Sequence, residues 1–455
     1  MKRTLADFAK ACGGTLQGAD KPFAGVSSDT RTIARGELFV ALRGPRFNAN
    51  EFVNAAHAAG AAGALVDCVQ SIALSQIVVP DTQVALETLG NAWRNQFPIP
   101  VVGVAGSNGK TTAKEMTATI LSQAGNCLAT RGNLNNHIGV PLTLLRVEPA
   151  NQFAVVEMGA NRASEVAALV RIARPTVGMI TNAGAEHLEG FGSLEGVARA
   201  EGEMVEGLAP DATAVINADD TFAELWKGLT KARILTFGVQ KQADFAAEDV
   251  RTTVESEGFV THFTLSSPLG SAAIELKMGG RHNVANALAA AAAASAAGAT
   301  LQHIVAGLSA VRAVPGRLQF KKASSGAWLL DDSYNANPSS MRAGIDVLAE
   351  LEGRKWLVMG DMAELGHFAD SAHREAGSYA RERGIERLYA TGPLSVLAVE
   401  SFGSGAKWFP DSQALAQALR VASPDVRMLI KGSRVNRLER LVEVLVGAGN
   451  SRGGH

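Results

Sequence analysis

Residues 99–112 read "IPVVGVAGSNGKTT". An apolar run, a glycine-rich turn and then Gly-Lys-Thr-Thr predict a buried strand, a loop and the first turn of a helix. Such a loop suits a polyphosphate. Glycine lets backbone N–H groups approach the anion, and the helix start adds donors and a favourable dipole. Lys110 is placed to neutralise the β- and γ-phosphates, and Thr111 to put a hydroxyl on Mg²⁺. The spacing is unusual, however. The common phosphate loop has four residues between its first glycine and the Gly-Lys pair. Here Gly103 leaves five and Gly106 leaves two. The loop therefore points to a different class of nucleotide enzyme.

Outward from the loop, "FAVVEMG" (153–159), "TVGMITNAG" (176–184) and "TAVINADD" (213–220) are further apolar runs ending in Gly, Asn or Asp, with helical stretches between them. That alternation predicts a parallel sheet flanked by helices, with ligands at the carboxyl ends of the strands. Upstream, "GELFVAL" (36–42) reads as a strand and residues 50–66 as a helix running into a strand. Downstream, "WLLDDSYNANP" (328–338), "KWLVMGDMAELG" (355–366), "RLYATG" (387–392) and "VRMLIKGSR" (426–434) repeat the pattern after a Pro-Gly at 315–316. The expectation is an α/β protein of three domains: residues 1–82, an α/β domain; 83–312, a P-loop ATPase-like domain; and 313–455, a Rossmann-like domain. The alanine run 285–300 reads as a buried helix rather than a membrane anchor.

Composition narrows the function. The 455 residues hold 43 Lys plus Arg against 44 Asp plus Glu, so no net charge recruits nucleic acid or a membrane surface. Aromatic residues are 5%, too few for base-stacking platforms. Cys12, Cys68 and Cys127 lie far apart and form no zinc spacing, which fits a reducing compartment. No secretory signal is visible, and a cytoplasmic monomer is expected.

"GSNGKTT" resembles the short phosphate loop of the Mur ligase superfamily, ATP-dependent enzymes that form amide bonds in peptidoglycan precursors; folylpolyglutamate synthetases are relatives. "NLNNHIGVPLTLL" (133–145), "VVEMGAN" (155–161), "HLEGFGSLEGVA" (187–198), "GRHNVANALAA" (280–290), "AVPGRL" (313–318), "DDSYNANP" (331–338), "GDMAELG" (360–366) and "KGSR" (431–434) follow in the order found in one branch of that family. "SSDTRTIARGELFVALRGPRFNANEFV" (27–53) is similar to its UDP-sugar-binding domain. The resemblance implies a ligase whose substrates are ATP, UDP-N-acetylmuramoyl-tripeptide and D-alanyl-D-alanine. The tripeptide carboxylate would attack the γ-phosphate, and the dipeptide amine would attack the resulting acyl phosphate.

The resemblance also implies roles. Gly106, Ser107, Asn108, Gly109, Lys110, Thr111 and Thr112 would hold phosphate. Thr111, Glu157 and His187 would bind metal, with two Mg²⁺ ions expected. Many family members carry a carbamylated lysine in the next helix, whose anion supports the second ion. Here "GVARAEGEM" (196–204) puts Glu201 there, and the expectation is that its carboxylate replaces the carbamate. Glu203 is expected to pair with Arg199 at the i, i+4 spacing, and Glu186 and Glu189 to be solvated. Asn283 and Asn286 match positions near adenine, a helix cap being the alternative. Arg317 matches a residue reaching the phosphates from the third domain. Asp332 matches a carboxylate near ribose or metal, with Asp331 an open alternative. Ser28, Thr30, Arg31, Arg46, Phe47 and Asn50 are expected near UDP. Asn133, Asn135 and Asn136 are expected near the sugar or pyrophosphate, although so dense a run of asparagine also suits a turn. Tyr334, Asn335, Asn337, Lys431, Ser433 and Arg434 are expected around the peptide and dipeptide. A site divided between two domains implies closure that excludes water.

Overall fold

The strand after which everything is arranged is Val101–Ala105. In the computed structural model, which describes residues 2–44, 47–186, 188–255 and 258–447, it lies between Phe153–Glu157 and Val177–Ile180, parallel to both. All five of its residues are buried. Helices cover both faces of this part of the sheet, so the strands read as continuous apolar runs instead of alternating. Beyond Val177–Ile180 the order continues outward with the parallel strands Thr213–Asn217 and Arg233–Gly238; Cys127–Ala129 lies outside Phe153–Glu157.

The sheet is larger than the alternating pattern predicts. Phe245–Glu255 joins Arg233–Gly238 in parallel, and Gly258–Ser267 and Gly270–Leu276 add two antiparallel strands at the same edge. The alanine-rich helix, Arg281–Ala296, starts four residues before the alanine run and ends ahead of Gly298. Residues 287–294 are wholly buried. Alanine suits this position because it favours helix and lets neighbouring elements approach closely. The helix packs with Lys110–Ser122 in the central core.

The first sheet, Thr15–Gln17, Gln76–Val78, Gly63–Val66, Leu38–Val40 and Val26–Ser27 in that order, is parallel except at its Thr15–Gln17 edge. Helix Thr82–Arg94 buries Leu86, Leu89 and Trp93 in the same cluster as Leu5, Phe8 and Leu38, together with Leu145 and Val147 of the central region. It thus joins the first unit to the second. The third sheet has Gln319–Lys322 antiparallel at one edge, then Trp328–Asp332, Val426–Lys431, Arg354–Met359, Arg387–Thr391 and Ala406–Phe409, all parallel. These sheets bear out the α/β class. Carboxyl ends of central strands carry Ala105, Glu157, Ile180 and Asn217, and that rim faces the start of helix Pro338–Ala349 in the third unit. No helix among the described residues is long and apolar enough to cross a membrane.

Candidate active site

The glycine-rich turn exists because its backbone goes where only glycine fits. Gly106 has φ +120°, and a Cβ there would come within 2.1 Å of Thr181 Oγ1. Gly109 has φ +82°, and its Cβ would meet Asn286 Oδ1 at 2.3 Å. The next strand end locks the loop. Ser107 N donates to Asn182 O (2.9 Å), Asn108 N to Asn182 Oδ1 (3.1 Å), and Thr181 Oγ1 to Asn108 O (2.6 Å). Helix Lys110–Ser122 then leaves the N–H groups of its first turn without intrahelical acceptors. Those groups and the positive end of the dipole form an anion site.

Lys110 spans the loop. Its Nζ donates to Gly106 O, Ser107 O (3.0 Å) and Glu186 Oε1 (3.0 Å). Burial pushes its pKa down, but Glu186, Glu201 and Glu157 outweigh this and hold the ammonium above its ordinary value. Glu186 is only 9% exposed, and its other oxygen accepts from Asn337 Nδ2 (3.2 Å). The expectation of a solvated Glu186 is therefore corrected: Lys110, distant in sequence, supplies the counter-charge that lets this carboxylate be buried. Glu189 is exposed.

Glu157 ends its strand facing the loop helix. Its Oε1 accepts from Thr111 Oγ1 (3.2 Å) and Asn135 Nδ2 (3.0 Å), while Oε2 is buried with no partner. Glu201 is also buried, and its Oε2 accepts from Gly106 N (2.7 Å). Burial pushes its pKa up to about 7 against the pull of Lys110. Neither Glu201 nor Gly106 lines either cavity described below. His187 lies outside the described residues. Glu203 departs from expectation: it accepts from Ser164 N (2.6 Å) and Ala167 N (2.9 Å), and Arg199 pairs with Glu195 instead (2.8 Å). The start of helix Glu165–Ala173 gives Glu203 unpaired backbone donors and a positive dipole end, which an exposed arginine cannot match.

Two cavities of about 700 and 800 Å³ flank these groups, sharing Thr111, Asn133, Glu186, Gly316, Arg317, Tyr334, Asn335 and Asn337 as a common wall. The first contains the loop, residues 107–112, together with Asn135, Asn136, Glu157, Asn283, Asn286, Asp332, Asn335 and Lys431. Within it Asn283 Nδ2 donates to Gly279 O (2.8 Å) and Asn286 Nδ2 to Asn283 Oδ1 (3.3 Å). Asn136 Oδ1 accepts from Ile138 N and Gly139 N, the turn role left open by the sequence. Ser433 and Arg434 line the second cavity.

The third unit reaches the loop through side chains. Arg317 Nη2 donates to Thr111 Oγ1 (2.9 Å), its guanidinium lies 4.5 Å from the centre of the Tyr334 ring, and its Nε is buried without a partner. Arg434 approaches the same ring at 5.6 Å. Asn337 caps helix Pro338–Ala349 and donates to Asn108 Oδ1 (2.8 Å), so it ties the third unit to the phosphate loop as well as walling the second cavity. Asp332 accepts from Lys431 Nζ (2.6 Å) and faces the first cavity; Asp331 is held by Lys321 and Ser333 on the side of the second. Ser433 Oγ is taken up with Ala336 O and Ala363 N.

Ser28, Thr30, Arg31, Phe47 and Asn50 line neither cavity. Arg31 is exposed and pairs with Asp29, Phe47 is 56% exposed, and buried Asn50 donates to Asp67 Oδ1 (2.7 Å). Arg46 lies outside the described residues. Sequence reasoning missed Asn182, whose place just past an apolar run was the available signal. It also missed His282, which lines the first cavity and whose imidazole pKa burial pushes down.

Residues 104–294 match the Mur ligase middle domain, and residues 316–434 match the Mur ligase, glutamate ligase domain. A UDP-N-acetylmuramoyl-tripeptide–D-alanyl-D-alanine ligase of Escherichia coli (strain K12) is 44% identical over 447 residues, covering 97% of this chain and 98% of the relative. A crystal structure of MurF from Acinetobacter baumannii superposes with TM-score 0.89 at 34% identity, over 97% of this chain and 98% of that one. The MurF ligase of Thermotoga maritima in complex with ADP gives TM-score 0.80 at 25% identity, over 92% and 96%.

Proposed function

The chain belongs to the Mur ligase family, and on that footing we propose how its cleft joins a carboxylate to an amine. It is an ATP-dependent ligase of peptidoglycan synthesis that adds D-alanyl-D-alanine to UDP-N-acetylmuramoyl-tripeptide. Its three units are assigned to residues 1–82 for the UDP-muramoyl substrate, 83–312 for ATP and 313–455 for closing the cleft. We further assign it to cytoplasmic cell-wall biogenesis, and through that to cell shape and division, acting as a monomer.

One observation carries the mechanism: Arg317 of the third unit meets Thr111 of the phosphate-loop helix at 2.9 Å. ATP phosphates lie along the first turn of that helix, and Lys110 exchanges a protein acceptor for a phosphate oxygen. A divalent cation fits beside them, because Glu157 has a buried oxygen without a partner next to the Thr111 hydroxyl. Hard oxygen donors of this kind suit Mg²⁺, which when bound screens phosphate charge from the attacking carboxylate. A second ion, expected at His187, would draw on a residue outside the described set.

The acceptor carboxylate and the γ-phosphate are both anions, so their approach is opposed electrostatically. Lys110 and Arg317 both line the first cavity and bring positive charge to the meeting point, held by protein contacts before reaction. Carboxylate oxygen attacks phosphorus, the bond to ADP breaks, and an acyl phosphate forms. The dipeptide amine then attacks the acyl carbon, phosphate leaves with the carboxylate oxygen, and the amine loses a proton. The second cavity, with Arg434, Tyr334 and Asn335, is assigned to the peptide and dipeptide. ADP and phosphate release should require both UDP-N-acetylmuramoyl-tripeptide and D-alanyl-D-alanine. Equal release without the dipeptide would contradict the assignment.

A further inference from the structure

Glu201 is a buried carboxylate that lines neither of the two cavities described above. It sits on helix Leu194–Glu206, on a face that also buries Val197, Ala198, Ala200, Met204 and Val205. A carboxylate in such a setting is unfavourable unless hydrogen-bonded or matched by opposite charge. It has both. Gly106 N–H lies 2.7 Å from Oε2, and Lys110 is close enough to exert a favourable charge interaction.

We infer that Glu201 is a positioning residue, anchoring the phosphate loop from behind through the Gly106 amide, and touches neither nucleotide nor metal. The consequence follows from the peptide it holds. Gly106 sits at φ +120°, wedged against Thr181. Its own carbonyl accepts from Lys110 Nζ. The N–H belongs to the Ala105–Gly106 peptide and the carbonyl to the next one, which Ser107 N holds against Asn182 O; with Gly106 wedged between them, Glu201 fixes the first peptide and so the point from which the carbonyl aimed at Lys110 departs. The loop has bonds to Asn182 and Thr181 from the neighbouring strand end, but these act on Ser107 and Asn108; among the hydrogen bonds of the described residues, only Glu201 takes the Gly106 N–H.

The inference rests on reading the loop as a nucleotide site, and wild-type ADP binding checks that reading separately. The experiment measures ADP affinity by calorimetry with Mg²⁺ and again in EDTA, for wild type, Glu201→Ala and Glu201→Gln, alongside KM for ATP and kcat. A glutamine carbonyl can still accept from Gly106 N–H, whereas a neutral amide is a poor ligand for a hard cation. Glu201→Ala should weaken ADP about tenfold with or without metal, as expected for a lost hydrogen bond to a charged group, and raise KM for ATP more than it lowers kcat. Glu201→Gln should restore ADP affinity under both conditions and leave the Mg²⁺ requirement unchanged. A Glu201→Gln enzyme with normal ADP affinity in EDTA but a raised Mg²⁺ requirement would overturn the inference. Should Glu201→Ala fail to fold, the glutamine variant decides alone.

Discussion

Replacing Arg317 by alanine removes a guanidinium held in two ways and carrying one unused donor. It donates to Thr111 Oγ1 at 2.9 Å, it stacks on Tyr334 at 4.5 Å, and its buried Nε has no protein acceptor. The stacking contributes about 0.5–2 kcal/mol to the resting geometry. Loss of a donor fixed in advance toward developing charge costs more, on the order of 10²–10³ in kcat, or about 3–4 kcal/mol. Most of the damage falls on the transition state, so kcat should drop by about that factor while ADP affinity changes less than about fivefold. Arg317→Lys keeps the charge but loses the planar fork and the stack, and should fall between the two. Steady-state phosphate release at saturating substrates gives kcat, and calorimetry gives ADP affinity. If Arg317→Ala, shown to be folded, keeps kcat within about threefold of wild type, the assignment of Arg317 to the reacting phosphate is wrong. A loss of ADP affinity equal to the loss in kcat/KM would also contradict it, because the residue would then be binding ground state and transition state alike.

Asn337→Ala removes a helix cap and the bonds to Asn108 and Glu186, and should destabilise the protein by about 2 kcal/mol in thermal unfolding while raising KM for ATP. An unchanged KM would show that this contact does not hold the loop. The Arg43 guanidinium beside Asp67 holds its carboxyl below the ordinary aspartate range. Stability from the pair is thus complete above that range and is lost as pH falls through the lowered value. The stability difference between wild type and Asp67→Asn should hold constant above the aspartate range and shrink only as pH falls below the ordinary value of 3.8 in urea titrations, and growth of that difference on acidification would refute the pairing. Burial pushes the Cys127 thiol up to about 12, whereas Cys68 is exposed. Iodoacetamide at neutral pH should label Cys68 in the native protein and Cys127 only after unfolding, as read by mass spectrometry.

The phosphate loop was legible because glycine spacing, an apolar strand before it and Lys-Thr after it are all local signals. Glu157 was legible for a related reason: a carboxylate closing an apolar run falls at a strand's carboxyl end, where ligands gather. Glu186, Glu203 and Asn337 were misjudged or only partly read because their partners are distant in sequence. Lys110 is 76 residues from Glu186, and Asn108 is 229 from Asn337. Glu195 and Glu203 each lie four residues from Arg199, and the acid-before-base order favours Glu195, the partner observed; spacing alone could not reveal that Glu203 faced another helix's free N–H groups. The strand Phe245–Glu255 was missed because "FAAEDVRTTVE" is largely polar and solvent-facing, unlike the buried strands that made the rest readable.

The central claim is that the tripeptide's terminal carboxylate is activated by transfer of phosphate before the amine arrives. Substrate carrying ¹⁸O in that carboxylate tests it, with the released phosphate analysed by mass spectrometry. One labelled oxygen in each phosphate is predicted, since the acyl phosphate leaves with the oxygen that attacked. Unlabelled phosphate, with all of the heavy isotope retained in product or water, would contradict the account.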